Sequence, residues 1–171
     1  MSPASVSIHS DGGGHSVSFG RDFPDAHPNF GAICFRRNVV GNCVDEFNDE
    51  ASRAYVCCSR TLLVLWSDKD YRGRSIVLGK GVHNLRDYNF NDDANSGVLY
   101  SSVDNAPFAE KYHRRVNEPH VFWWGNGFTC HAKNPAQMER FGGFAQVILV
   151  SPNVYIPGSY TNGQIVPDCG G

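Results

Sequence analysis

Two stretches of this 171-residue chain are near copies of each other: Phe47-Asn48-Asp49-Glu50-Ala51-Ser52-Arg53 and Phe90-Asn91-Asp92-Asp93-Ala94-Asn95-Ser96, 43 residues apart. A repeat at that period, inside a region that otherwise reads as strand, implies two copies of one supersecondary unit packed on each other. The surrounding texture is that of short strands. Val6 and Ile8, then Val17 and Phe19, alternate on either side of Gly12-Gly13-Gly14. Ala32 to Val40, Ala54 to Cys58, Ser75 to Leu78 and Val98 to Val103 are further strand candidates, and Asp22 to Pro28 reads as loop. Leu62 to Trp66 is apolar without a break, the pattern of a strand buried on both faces. Short strands at this density predict an antiparallel sandwich or barrel rather than an α/β fold. Eighteen glycines, nine prolines and a charged fraction of 19% agree with a turn-rich β protein.

Beyond Ala106 the pattern changes. Pro107 to Arg115 reads as a short charged helix. Asn134 to Gly142 reads as a second, with an N-cap, a proline at the first helical position and a terminating glycine. Val121 to Trp124 and Phe128 to Cys130 flank Gly125-Asn126-Gly127 as a hairpin, and Ala145 to Val150 is an apolar strand. The expected organisation is a sandwich over residues 1–105 and an α+β extension over 106–171 packed on it.

The second copy of the repeat follows Trp66-Ser-Asp-Lys-Asp-Tyr71-Arg-Gly73. With these residues the chain resembles a βγ-crystallin domain. In that family each Greek-key motif opens with a folded hairpin of aromatic, four residues, aromatic, one residue and glycine, and later carries a Phe-Asn-Asp-x-x-Ser-Ser segment. Trp66, Tyr71 and Gly73 match the hairpin and Phe90 to Ser96 the segment; in the first copy Phe47 to Ser52 matches, without the aromatic hairpin. The resemblance implies an all-β sandwich of two Greek-key motifs. It also implies Ca²⁺ as the cofactor, held by Asn48, Asp49, Glu50 and Ser52 in one copy and by Asn91, Asp92, Asp93, Asn95 and Ser96 in the other. Such a loop offers the hard oxygens calcium requires, with few carboxylates per site, so affinity falls in the range of about 10⁻⁴ to 10⁻³ M. Arg53 and Asn95 depart from the family pattern, which has serine and Ser/Thr at those places. An EF-hand reading of Asp87-x-Asn89-x-Asn91 fails, because Asp92 stands where glycine is needed and Val98 where the bidentate glutamate belongs.

The six cysteines, Cys34, Cys43, Cys57, Cys58, Cys130 and Cys169, contain no C-x-x-C pair, which favours three disulfides over a zinc site. Cys34 and Cys43 are spaced to staple one hairpin, Cys169 to clip the C-terminal end, and adjacent Cys57 and Cys58 to take different partners, since strand neighbours face opposite ways. Disulfides imply an oxidising, extracellular setting. No leader-like stretch opens the chain, so that setting carries the expectation that Met1 stands in place of a cleaved signal. A net charge of −2 and a pI near 6.4 argue against nucleic acid and anionic membranes as partners, and no apolar run is long enough to span a bilayer.

The functional expectation is a secreted, calcium-binding binding or defence module, whether protease inhibitor, antimicrobial or carbohydrate-binding; Trp123 and Trp124, beside a loop tip, read first as the core of the extension and, where exposed, as aromatic faces for a sugar or protein. Against it stand an enzyme whose site is built by the extension from His120, His131 and Glu118, and a structural or stress protein that calcium stabilises.

Overall fold

A computed structural model describes residues 2–7, 14–47, 51–101, 111–125, 128–139, 147–152, 154 and 168–170. Alternation places Ala4 and Val6 of β1 (Ala4–Ser7) and Val17 and Phe19 of β2 (Ser16–Phe19) on one face, with Ala4 opposite Phe19 and Val6 opposite Val17. On the other side of β1 lies β6 (Arg53–Val56), and beyond it β9 (Gly81–Asn84), giving a sheet of order β2-β1-β6-β9. The facing sheet contains β8 (Arg72–Leu78), β7 (Leu62–Asp68), β10 (Ser96–Tyr100) and β3 (Ala26–His27), in that order.

These two sheets are built by exchange. The third strand of the first half, β3, pairs with β10 of the second, and the third strand of the second half, β9, pairs with β6 of the first. Neither half closes without the other. Between the sheets lie Phe19, Phe30, Phe47, Leu63, Leu65, Ile76, Leu78, Leu85 and Phe90, all fully buried. Burying each such side chain is worth about 1.5–3 kcal/mol.

Between β3 and β6 the first half inserts a 3₁₀ turn (Phe30–Ala32) and a two-stranded hairpin, β4 (Cys34–Arg37) and β5 (Cys43–Glu46). The strand expected over Ala32 to Val40 is therefore cut short: Asn38 turns the chain by accepting from the amides of Val40 (3.1 Å) and Asn42 (3.0 Å). The second half has only a 3₁₀ turn (Leu85–Tyr88) and the corner loop at this place.

The extension continues the larger sheet. Its strands β11 (Lys111–Arg115), β12 (Val121–Gly125), β13 (Phe128–Ala132) and β14 (Ile148–Val150) complete the order β13-β12-β11-β14-β8-β7-β10-β3, with β14 parallel to both β8 and β11. A second core forms on the outer face, where Leu62, Val64, Trp66 and Val77 meet Trp124, Ile148, Val150 and Val154. This explains the unbroken apolar run of β7, whose alternate residues serve two cores. Buried Arg115 closes the end of β14 by donating to the carbonyls of Pro152 and Val154, both at 3.0 Å.

Two further expectations are corrected, and a third, the second helix, is met as far as it is described. Lys111 to Arg115 is a strand, because Tyr112 turns to one core and His113 is buried on the opposite face; residues 107–110 lie outside the described part. The expected second helix is a short segment, α1 (Pro135–Glu139), capped by Asn134 accepting from the Gln137 amide at 3.1 Å, with 140–142 outside the described residues. Cys57 and Cys58 bond to each other. They lie past the end of β6, in the turn toward β7, where strand alternation no longer separates neighbouring side chains. The Cys34–Cys43 staple and the clip from Cys169, which reaches Cys130, are as expected.

Candidate cation site at the seam of the two halves

The twin corners meet. Asp92, at φ 61°, donates its backbone N–H to the Ala51 carbonyl at 2.8 Å. Around this contact the main chain repeats itself: Ser52 donates to Ser7 O (3.0 Å) as Asn95 donates to Trp66 O (2.9 Å), and the carbonyls of Ser52 and Asn95 each accept from the other half, from Leu85 N (3.0 Å) and Phe30 N (2.8 Å). Phe47 and Phe90, and Ala51 and Ala94, are buried as matching pairs. The repeat seen in the sequence is thus a pseudo-twofold of backbone hydrogen bonds.

The side chains divide their work less evenly. Asn48, Asp49 and Glu50 lie outside the described residues. Asn91 donates to the Asp92 carboxylate at 2.6 Å, and Asp93 accepts from Arg74 at 2.6 Å while that guanidinium lies 4.8 Å over the Phe90 ring. Ser96 is fully buried; its hydroxyl donates to the Asp68 carbonyl (2.7 Å) and accepts from the Tyr71 N–H (3.1 Å), pinning the folded hairpin onto the sheet. Gly73 allows that fold: at φ 79° a Cβ would sit 2.3 Å from Ser67 Oγ. Ser52 contributes its backbone. Arg53, opposite Ser7 in register as Ser96 is opposite Trp66, brings no such hydroxyl to the first half.

Of the nominated residues described, Asn95 lines the polar cleft of about 460 Å³ at this seam. Its amide donates to the Ser67 carbonyl at 2.8 Å. Glu46, Asp68, Asn29, Ser67 and Lys69 also line it. The donor set is oxygen, with two carboxylates, a hydroxyl and two side-chain amides, and among the described residues no group of three His, Cys, Asp or Glu comes together as a metal cluster. That chemistry fits a hard cation held weakly, in competition with the Lys69 ammonium, and is unsuited to a transition metal. Glu46 and Asp68 line the cleft without being among the residues the repeat points to. Glu46 adjoins the first corner and Asp68 sits in the aromatic hairpin, so both flank recognised motifs without belonging to the repeated segment.

His120 and His131 do approach, ring centroids 5.0 Å apart and edge-on, with Phe122 at 5.2 Å from His131. Desolvation, and then the neighbouring His120 and Lys133, hold the His131 imidazole below its ordinary pKa, against the pull of Asp168. Glu118 belongs to the turn after β11, where its amide donates to Arg115 O and its carbonyl accepts from Arg114. The seam cleft is lined by other residues. Of the two readings of the tryptophans the structure takes the buried one: Trp124 is buried in the outer core and Trp123 half-buried against the Cys130–Cys169 cluster, so the pair offers no shared exposed face.

No protein-family model matches the sequence, and no curated protein matches it significantly. Two solved structures are similar. One, from work on the evolution of the eye-lens βγ-crystallin domain fold, is 19% identical over 57% of this chain and 83% of its own, with a TM-score of 0.43. The other, a βγ-crystallin from an archaeon, is 18% identical over 57% of this chain and 95% of its own, with a TM-score of 0.40. Among the described residues no helix is long and apolar enough to cross a membrane.

Proposed function

We propose that the chain is an extracellular binding module whose contact element is the disulfide-closed hairpin β4–β5 and whose sandwich is steadied by calcium. The observation that carries the reading is the hairpin tip, where Val39 and Val40 are 104% and 75% exposed. This tip belongs to an insertion that the second half lacks, and it is held ready. The Cys34–Cys43 bond closes its base, Arg37 clasps the Gly41 carbonyl at 2.9 Å, and His15 stacks on Phe35 at 4.2 Å while pairing with Asp45 at 2.9 Å. A loop already ordered loses little entropy on binding. Small aliphatic side chains flanked by the exposed Arg36 and Arg37 suit a protein partner with a narrow apolar slot and an acidic rim, which favours a protein-directed role such as protease inhibition over sugar binding. The three disulfides support an oxidising compartment.

Inhibition of a panel of secreted endopeptidases, measured with the native chain and with Val39→Asp/Val40→Asp, tests this. We expect at least one enzyme to be inhibited, with at least a tenfold loss in the variant; inhibition indifferent to the loop, or none across the panel, overturns it. For calcium, Glu46, Asp68 and Asn95 are the expected holders at the seam. Calorimetric titration of chelator-treated protein should give weak binding that Asp68→Asn diminishes. An ion at ten times its dissociation constant adds about 1.4 kcal/mol of stability. Calcium-dependent stabilisation with no partner found would favour the structural-protein reading.

A further inference from the structure

A second cleft, of about 470 Å³, opens where the extension joins the sandwich, lined by Gly73, Arg74 and Ser75 of β8, Arg114 of β11 and the segment Val147, Ile148 and Leu149 that ends in β14. Its size falls within the range of small-molecule sites. Sheet register explains why two arginines share it. Arg114 is opposite Leu149, and Leu149 is opposite Ile76, so these three side chains stand on one face, the face on which Ile76 and Leu149 reach the inter-sheet core. Arg74 lies at the irregularity between Arg72 and Ser75, and its guanidinium over Phe90 of that core places it on the same side. Two strand spacings of roughly 4.8 Å and two residues of roughly 3.3 Å rise separate the two arginine backbones. Two arginine side chains are long enough to reach one small ion across that separation.

Both guanidinium groups are held in place without being used up. Arg74 gives Nη2 to Asp93 at 2.6 Å and rests over Phe90, and Arg114 gives Nη1 to the Glu118 carbonyl at 3.1 Å. Each guanidinium has five N–H donors, in a planar fork that matches a carboxylate. One side of the cleft is thus cationic and hydrogen-bonding, and the other is aliphatic. We propose that this cleft binds a small organic carboxylate with a short aliphatic body, its head between Arg74 and Arg114 and its tail against Val147 and Leu149. The assignment is independent of the hairpin and of calcium.

Amide chemical-shift titration of the full chain with hexanoate, hexan-1-ol and sodium sulfate separates the contributions. Hexanoate should give saturable shifts at Ser75, Arg114 and Leu149, and hexanol and sulfate should bind at least tenfold more weakly, lacking the head and the tail respectively. Arg114→Gln should weaken hexanoate at least tenfold, with Arg114→Lys recovering part of the loss. Arg74→Gln supplies a second reading should one variant fold poorly, as judged by its spectral dispersion. Absence of saturable shifts, shifts confined elsewhere, affinity unchanged in both glutamine variants, or sulfate binding as tightly as hexanoate would overturn the proposal.

Discussion

Replacing Ser96 by alanine probes the fastening on which the second corner depends. The Ser96 hydroxyl is fully buried and serves two backbone groups of the folded hairpin, the Asp68 carbonyl at 2.7 Å and the Tyr71 N–H at 3.1 Å. Deleting it leaves both without that partner, at about 1–3 kcal/mol for each group that stays dry. Asp68 and Tyr71 lie at the exposed end of the hairpin, so water re-satisfies part of the loss and the expected cost sits near the low end, about 2 kcal/mol in all. For a chain of this size that corresponds to a fall in Tm of about 4–8 °C. Urea unfolding of Ser96→Ala beside the exposed control Ser101→Ala measures it, and amide exchange at Tyr71 reports whether the hairpin itself has loosened. A loss under about 0.5 kcal/mol, the size expected of a surface change, together with unchanged exchange at Tyr71, would refute the claim that this hydroxyl pins the hairpin.

Two further outcomes follow from single side chains. Buried His83 donates from Nε2 to the Gly79 carbonyl at 2.6 Å and accepts at Nδ1 from the Tyr88 hydroxyl at 2.8 Å; desolvation holds its pKa below the ordinary value, partly offset by that carbonyl. The unfolded chain therefore takes up the proton first, so this contribution is complete above a pH of about 6.5 and is lost as pH falls toward the lowered folded pKa, and urea midpoints from neutral to acid pH should fall less in His83→Asn than in the native chain. Gly97 sits where a Cβ would come within 3.0 Å of Leu65 and Phe19 and 3.2 Å of Phe30, so Gly97→Val should cost about 1–3 kcal/mol by overpacking, seen as a lower denaturation midpoint at unchanged slope.

Much of the frame is legible in the residues because apolar patterning and turn chemistry act locally. Leu62 to Trp66 announces a strand with two buried faces, and it has them. Two strands without a clear signature, Ala26–His27 and Gly81–Asn84, are short and mostly polar, and they are the ones the halves exchange. Their pairing partners lie far away in sequence, so nothing in their own composition reveals them. The bond between Cys57 and Cys58 was missed for a related reason: alternation holds only while the strand lasts, and β6 ends at Val56. Lys111 to Arg115 looked helical through its charges, whereas its fate was set by a parallel pairing with β14.

The twin corners mark the limit of what a repeated motif can say. Their likeness is carried by the main chain: Ser52 and Asn95 make matching hydrogen bonds through N–H and C=O, which any residue supplies. Among the described residues, the pairs at 47 and 90, and at 51 and 94, are buried in the shared core in both copies. The other described positions have diverged. Ser96 fastens a hairpin where Arg53 does not, and Asp93 is drawn to Arg74. A motif selected by backbone geometry thus marks where the two halves meet more faithfully than which side chains line the cleft there. Asn95 lines that cleft from within the repeat, Glu46 and Asp68 from outside it.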